Sequence, residues 1–200
     1  GNNVGGLIGE IAGYSSESCT VKAIIEKSYA TGKVEGNECI GGLIGQIRND
    51  YFKGYYIGYA YAEILNTYAT GSVIGQTKVA GLVGELIQAH GITITNSYAI
   101  GKVEGTSSIG GLVGTGAGTS KNSYFVQETT GQKFSSIGTV NTIRKMLKES
   151  GYASWDFYNI WKIEEGESIA YLKDLPKPET VIEENIEYTK ISEALGTVSD

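Results

Sequence analysis

The sequence predicts a right-handed parallel β-solenoid followed by a compositionally different C-terminal segment, and three observations lead there. The pentad GGLIG begins at Gly5 and Gly41 and returns as AGLVG at Ala80 and GGLVG at Gly110, while SYATG at Ser28 recurs as TYATG at Thr67, SYAIG at Ser97 and SYF at Ser123. The distance from the second element to the next pentad is 13 residues every time, whereas the return leg measures 23, 26, 17 and 13 residues. One half of the repeat is therefore geometrically fixed and the other accepts insertions. Finally, 24 of the 29 glycines lie within residues 1–118. That density speaks against a helix-pair repeat, in which each internal Gly costs about 1 kcal/mol relative to Ala.

The fixed half reads [ST]-Y-A-[TI]-G-x-V-x-G-x-x-x-[IV]-[GA]-G-L-[IV]-G. Its two-residue alternation is that of strands: Ala30 and Val34 point inward with Leu43, Leu82 and Leu112, while Tyr29, Thr31 and Lys33 point outward. Glycines recur at one offset as Gly32, Gly71 and Gly101, and at another as Gly36, Gly75 and Gly105. Gly in register is needed where φ is positive or neighbouring backbone comes too close for a Cβ, so tight corners are expected, marked by Gly5, Gly41, Gly81 and Gly111. Stacked coils place Tyr29, Tyr68, Tyr98 and Tyr124 one above another, and parallel crossovers are right-handed in nearly all cases.

Three segments follow: repeats over 1–128, a capping segment over 129–175, and a linker or the start of another domain over 176–200. Both Trp, both Pro and three of the four Asp fall after residue 150. A solenoid end exposes unpaired strand edges, so a unit of different composition is expected to cover it. Within that unit the spacing predicts a helix from Thr142 to Gly151, with Thr142 as N-cap and Ile143, Met146 and Leu147 on its inner side. Trp155, Phe157, Ile160, Trp161 and Ile163 pack beside it.

Charge and residue inventory bound the chemistry. The net charge is -6, but residues 179–200 hold six acids against Lys190 alone, leaving 16 acids against 15 bases in the body. With Arg limited to Arg48 and Arg144 and no basic cluster in the sequence, no nucleic-acid partner is expected. No run of 18 uncharged apolar residues occurs and residues 1–9 lack signal-peptide character, so no membrane insertion and no leader are expected. The lack of an initiator Met suggests a piece of a longer chain. A single histidine, His90, excludes sites that need two, and the scarcity of Asp excludes repeated calcium loops, so no metal or other cofactor is expected. His90 reads as a solvated turn residue, since no nucleophile motif accompanies it. Glu35 and Glu104 recur at one repeat position, but Ile74 interrupts the series, and they read as solvated strand residues rather than a glycosidase pair. Cys19 and Cys39 lack the further ligands of a thiolate metal site. They read as free or buried thiols, with a bridge between adjacent legs as the alternative.

The segment with the strongest claim to recognition is the second return leg, YFKGYYIGYAY over residues 51–61, which holds five of the 14 tyrosines. Tyr couples large apolar area to a hydrogen-bonding tip at low ordering entropy, and its ring faces can stack on sugars. Tyr51, Phe52, Tyr55, Tyr56, Tyr59 and Tyr61 are therefore the candidate ligand-binding residues, weighed against a hairpin whose rings merely pack on the solenoid flank.

These repeated GGLIG and SYATG elements resemble the GLUG motif of large bacterial surface and secreted proteins, among them adhesin-like proteins and the N-terminal regions of some IgA-cleaving metallopeptidases. The stretch from Thr129 onward, with TTGQ, WDF and W-x-I-x-E-G at Trp161–Gly166, is similar to the close of such arrays, although Ile169-Ala170 stands where an aromatic-Pro pair usually precedes Tyr-Leu. The resemblance covers residues 4 to 175. It implies a noncatalytic, extracellular or cell-surface scaffold with a host protein or a glycan as partner; a carbohydrate-active β-helix, binding or degrading polysaccharide, is the alternative.

Overall fold

In the computed structural model the chain is a parallel β-solenoid. The structure describes residues 1–13, 19–49, 51–52, 55–56, 58–87 and 91–177, with side chains left out of account at 19–21, 49, 51–52, 55–56 and 58–60. Each coil contributes one strand to each of several stacked sheets. The pentad builds two of them: Asn2–Gly5, Glu38–Gly41, Thr77–Ala80 and Ser107–Gly110 pair in one, and Ile8–Gly13, Ile44–Asn49, Val83–Ile87 and Val113–Gly116 in the next. The return legs form a third from Cys19–Glu26, Gly58–Leu65, Thr93–Thr95 and Thr119–Lys121. The SYATG elements form a fourth, Tyr29–Ala30 through Tyr124–Val126, and Val34–Glu35, Val73–Ile74 and Val103–Glu104 close the coil.

Register follows the repeat alignment. Tyr29, Tyr68, Tyr98 and Tyr124 are successive partners, as are Val34, Val73 and Val103. The pentads align as Gly5, Gly41, Ala80 and Gly110, so the expected column of Gly5, Gly41, Gly81 and Gly111 mixes two adjacent positions. The turn itself falls one residue later, at Gly6, Gly42, Gly81 and Gly111.

Most of these glycines serve close approach rather than positive φ. A Cβ on Gly71 would lie 1.9 Å from the Gly32 carbonyl oxygen, and one on Gly101 would lie 1.8 Å from that of Gly71. Apart from Gly91 and Gly116, positive φ in the coils falls on two columns of non-glycine residues: Asn3, Cys39, Lys78 and Ser108 within the first pentad sheet, and Lys27, Asn66, Asn96 and Asn122 just before the [ST]-Y step. Asn tolerates this left-handed conformation better than most residues, because its short polar side chain can bond locally.

The second pentad glycine also explains the small inward residue of SYATG. A Cβ on Gly42 would meet the Ala69 Cβ at 2.9 Å, and one on Gly81 would meet that of Ala99 at 2.6 Å. This waist separates a larger core lobe containing Leu43, Leu82, Leu112, Ile64 and Ile94 from a smaller one built on Val34, Val73, Val103, Ile40 and Val79. At the last coil Phe125 replaces the alanine and its ring lies over Gly111, filling the end of the larger lobe.

The C-terminal segment does two jobs, only one of them anticipated. Residues 132–141 cover the edge of the last coil: Phe134 O accepts from Gly111 N at 2.9 Å, the Ser135 hydroxyl accepts from Leu112 N and Val113 N, and Thr139–Asn141 adds a fifth strand to the tyrosine sheet. The tryptophans do not cover that end. They lie along the outer flank of the tyrosine sheet, so Tyr68 and Tyr98, expected outside, are fully buried. Outward alternation held for Lys33 and Lys102, which pair with Glu35 and Glu104 in solvent, but a large aromatic column offered too much apolar area to remain uncovered. The helix expected over 142–151 is a single α turn, Ile143–Met146, whose Lys145 N bonds the Thr142 side chain, followed by a 3-10 turn at Glu149–Gly151.

Two outcomes follow from this packing. Gly71→Ala should destabilise by about 1–3 kcal/mol, because backbone must move to admit the methyl, while Gly32→Ala, with nothing within 4 Å of its Cβ direction, should stay within about 0.5 kcal/mol. Equal denaturation midpoints for the two variants would contradict the coil stacking. Likewise Tyr98 donates to Ala170 O at 2.7 Å, whereas the buried Tyr68 hydroxyl has no partner. Tyr98→Phe should cost about 1–3 kcal/mol and Tyr68→Phe nothing, or should even stabilise, in urea unfolding.

Candidate functional site

The return legs all arrive in one sheet, and that sheet carries the candidate recognition residues. Its inward positions, Ile25, Ala62, Ile64, Ile92 and Ile94, are buried in the larger core lobe. Outward it presents Lys22, Ile24 and Glu26 on the first leg, Tyr61, Glu63 and Leu65 on the second, and Thr93 and Thr95 on the third. The first two legs pair over eight residues, from Gly58 opposite Cys19 to Leu65 opposite Glu26, whereas the third leg pairs only with Glu63, Ile64 and Leu65. Residues 19–23 and 58–62 thus form a two-stranded ledge running beyond the shorter legs.

On this ledge Tyr61 is 36% exposed, at its inner end Ile24 is 58% exposed, and Lys22 Nζ meets Glu63 Oε1 at 2.9 Å across the two coils. The Tyr61 ring lies over Gly91, where a Cβ would stand 2.5 Å from it and where φ is +68. Just before the ledge, Tyr51–Phe52 pairs antiparallel with Tyr55–Tyr56, so the Tyr-rich leg does form a hairpin. The side chains of Tyr51, Phe52, Tyr55, Tyr56 and Tyr59, like all of His90, lie outside the described residues. What the described part offers is a ring face, an aliphatic neighbour and hydrogen-bonding edges, which suits stacking on a sugar or docking of a protein segment.

A polar ladder went unread in the sequence. The residue following each pentad, Glu10, Gln46, Glu85 and Thr115, stacks in register and faces the positive-φ column. Glu85 is 7% exposed, and its carboxylate accepts from Gln46 at 2.7 Å, from the Cys39 thiol at 3.1 Å and from Lys78 at 3.1 Å. Lys78 also pairs with Glu38 at 2.8 Å, and that bond, reinforced by Glu85, holds its ammonium above the usual lysine range. At the first coil Asn3 and, from the next coil, Arg48 bond Glu10. The fixed offset after GGL[IV]G was the available signal.

Cys39 belongs to this ladder. It is a free thiol within the strand Glu38–Gly41, and no bridge joins it to Cys19. Burial, with the Glu85 carboxylate beside it, pushes its thiol up to about 12, so it is neutral and unreactive at physiological pH. Among the described residues no cluster of three His, Cys, Asp or Glu could hold a metal, and no helix is long and apolar enough to cross a membrane. A second grouping, Arg144, Lys145 and Lys148 around one cleft, corrects the reading that the chain has no basic cluster.

Compared with known proteins, the chain matches no protein-family model, no curated protein and no solved structure.

The thiol gives a checkable outcome. In a Cys19→Ser variant, iodoacetamide at pH 8 should alkylate Cys39 at least about 100-fold more slowly in the native protein than after denaturation. Native labelling at the free-thiol rate would contradict the ladder. Because folding raises this group above its ordinary value near 9, its contribution to stability is complete below pH 9 and is lost as pH rises toward 12. The buried hydroxyls of Tyr68, Tyr98 and Tyr152, raised by burial, push in the same direction, so the melting temperature should fall through that alkaline window.

Proposed function

We propose that this chain is a noncatalytic β-solenoid segment of a bacterial cell-surface or secreted protein, acting as an adhesive or presenting scaffold. The observation that carries the reading is the division of labour within each coil. The fixed half builds an in-register rod, and every leg that varies in length joins one sheet, where the Tyr hairpin and the ledge with Tyr61 emerge beside the exposed Ile24. Insertions gathered on one side of a repeat stack are how solenoids vary a binding face without disturbing the core. The resemblance of the pentads and of the Trp-rich close to GLUG-type arrays supports an extracellular or surface location.

A second reading, a carbohydrate-binding module, draws on the exposed Tyr61 ring beside Ile24 and on the tyrosines of the hairpin. The test separates presentation from recognition and from catalysis. Tyr51, Tyr55 and Tyr56 are replaced together by Ser, leaving Gly58–Leu65 intact because that strand pairs along its whole length with Cys19–Glu26. The variant should melt within a few degrees of the parent, yet lose capture on glycan arrays or of a host-surface protein by about ten-fold or more. Undiminished capture by a folded variant would remove the hairpin from the binding face, and release of reducing sugar from a polysaccharide would overturn the noncatalytic reading.

A further inference from the structure

A cleft of about 600 Å³ opens between the last strand of the tyrosine sheet and the turns that follow it. One wall is Tyr124 and the strand Thr139–Asn141, and the other is the stretch from Thr142 to Ala153. Arg144, Lys145 and Lys148 line it and no carboxylate does. The neighbouring acid Glu149 has its backbone N–H bonded by Glu165 at 2.9 Å, and neither acid contributes to the lining.

Three features make this more than a scatter of surface lysines. The cations are held in place from beneath, since Ile143, Met146 and Leu147 are buried in the aromatic core and Lys145 N is bonded by the Thr142 hydroxyl. All three cationic residues are exposed, and none belongs to an ion pair among the described residues, a state shared with the dispersed Lys27, Lys121 and Lys133; what sets these three apart is that one cleft gathers them. They also concentrate positive charge in a chain whose net charge is -6. Like charges gathered without counter-ions repel, and an anionic ligand relieves that repulsion.

We propose that this cleft binds an acidic sugar of an anionic glycan. The guanidinium of Arg144 offers a bidentate fork to a carboxylate or sulfate, and Lys145 and Lys148 add point charges. Thr139 and Ser150 supply hydroxyls for ring oxygens; Asn141 and Thr142 are already engaged, with Met146 and Gly151 and with Lys145 respectively. Tyr124 and the 47% exposed Val140 give an apolar surface for the sugar ring. The volume suits a small ligand of one or two sugars. A nucleic acid fits less well, because its regularly spaced phosphates need a basic track and the body outside these three cations holds 16 acids against 12 bases. The proposal stands on the cleft alone and not on the return legs, so either can fail without the other.

The test uses the full 200-residue chain in affinity electrophoresis and titration calorimetry. The probes are heparin, polygalacturonate, neutral dextran and a short DNA duplex. At least one anionic polysaccharide should bind and dextran should not; binding to polygalacturonate assigns the carboxylate, and binding to heparin alone assigns the sulfate. Arg144→Gln and Lys148→Glu, both on exposed side chains, should each weaken binding by about ten-fold or more, and added salt should weaken it further. Lys102→Gln, a charge change on another face, should leave it unchanged and so separate a local site from net charge. The proposal is overturned if neither anionic polysaccharide binds, if the Arg144 and Lys148 variants bind like the parent at unchanged melting temperature, or if the duplex binds as tightly as the glycan.

Discussion

Backbone-to-backbone contact between successive coils is the constraint on which this structure depends. Where Gly101 sits on Gly71 and Gly71 on Gly32, the space for a Cβ is already occupied by the carbonyl oxygen of the coil before. Such contact leaves no freedom in register: sliding one coil by a single residue would drive a side chain into a position that admits only hydrogen. The stacking of like on like follows. Tyr29, Tyr68 and Tyr98 lie with ring centroids 5.1 Å apart at each step, and the backbone N–H groups of Leu43 and Leu82 each reach the equivalent carbonyl of the coil beyond at 3.0 Å.

The aromatic column so created in turn dictates the fold of the C-terminal segment. Tyr68 and Tyr98 expose a broad apolar strip that water disfavours, and Trp155 and Trp161, 4.3 Å apart between ring centroids, cover it. Apart from the Tyr68 hydroxyl, polar atoms along the strip find partners: Trp161 Nε1 donates to Asn66 Oδ1, Trp155 Nε1 to Asn122 O, and the Tyr152 hydroxyl both donates to Met146 O and accepts from Ala170 N. The asparagines that turn the corner before [ST]-Y therefore also anchor the cover. Turn geometry and flank packing share residues.

The fixed spacing of the pentads and of the [ST]-Y-A elements made the solenoid and its register legible, because a strict offset between small residues has no other physical use. The inward leucines and valines were legible from alternation for the same reason. The fate of the tyrosines was not, since alternation tells which residues share a face but not whether another part of the chain returns to cover it. Lys33 on that coil made the face look solvated. The left-handed columns were also missed, although N-[ST]-Y at Asn66, Asn96 and Asn122 carried a local signal in the conformational tolerance of Asn. Of the candidate site, composition located the hairpin and Tyr61, while the ledge depends on the unequal pairing of three legs. The basic cleft depends on Tyr124 and the turn after Thr142 meeting through the strand Thr139–Asn141, a contact that no spacing encodes.

The cover has a mechanical meaning as well. Coils in a stack are joined in series, so a pull along the axis would open them one seam at a time, each seam failing alone. Trp161 holds Asn66 of the second coil, Ala170 receives the Tyr98 hydroxyl of the third, and Trp155 holds Asn122 at the start of the fourth. One rigid piece thus crosses two seams and loads them in parallel. Under such a pull the three coils bridged by the cover would part together rather than one seam at a time.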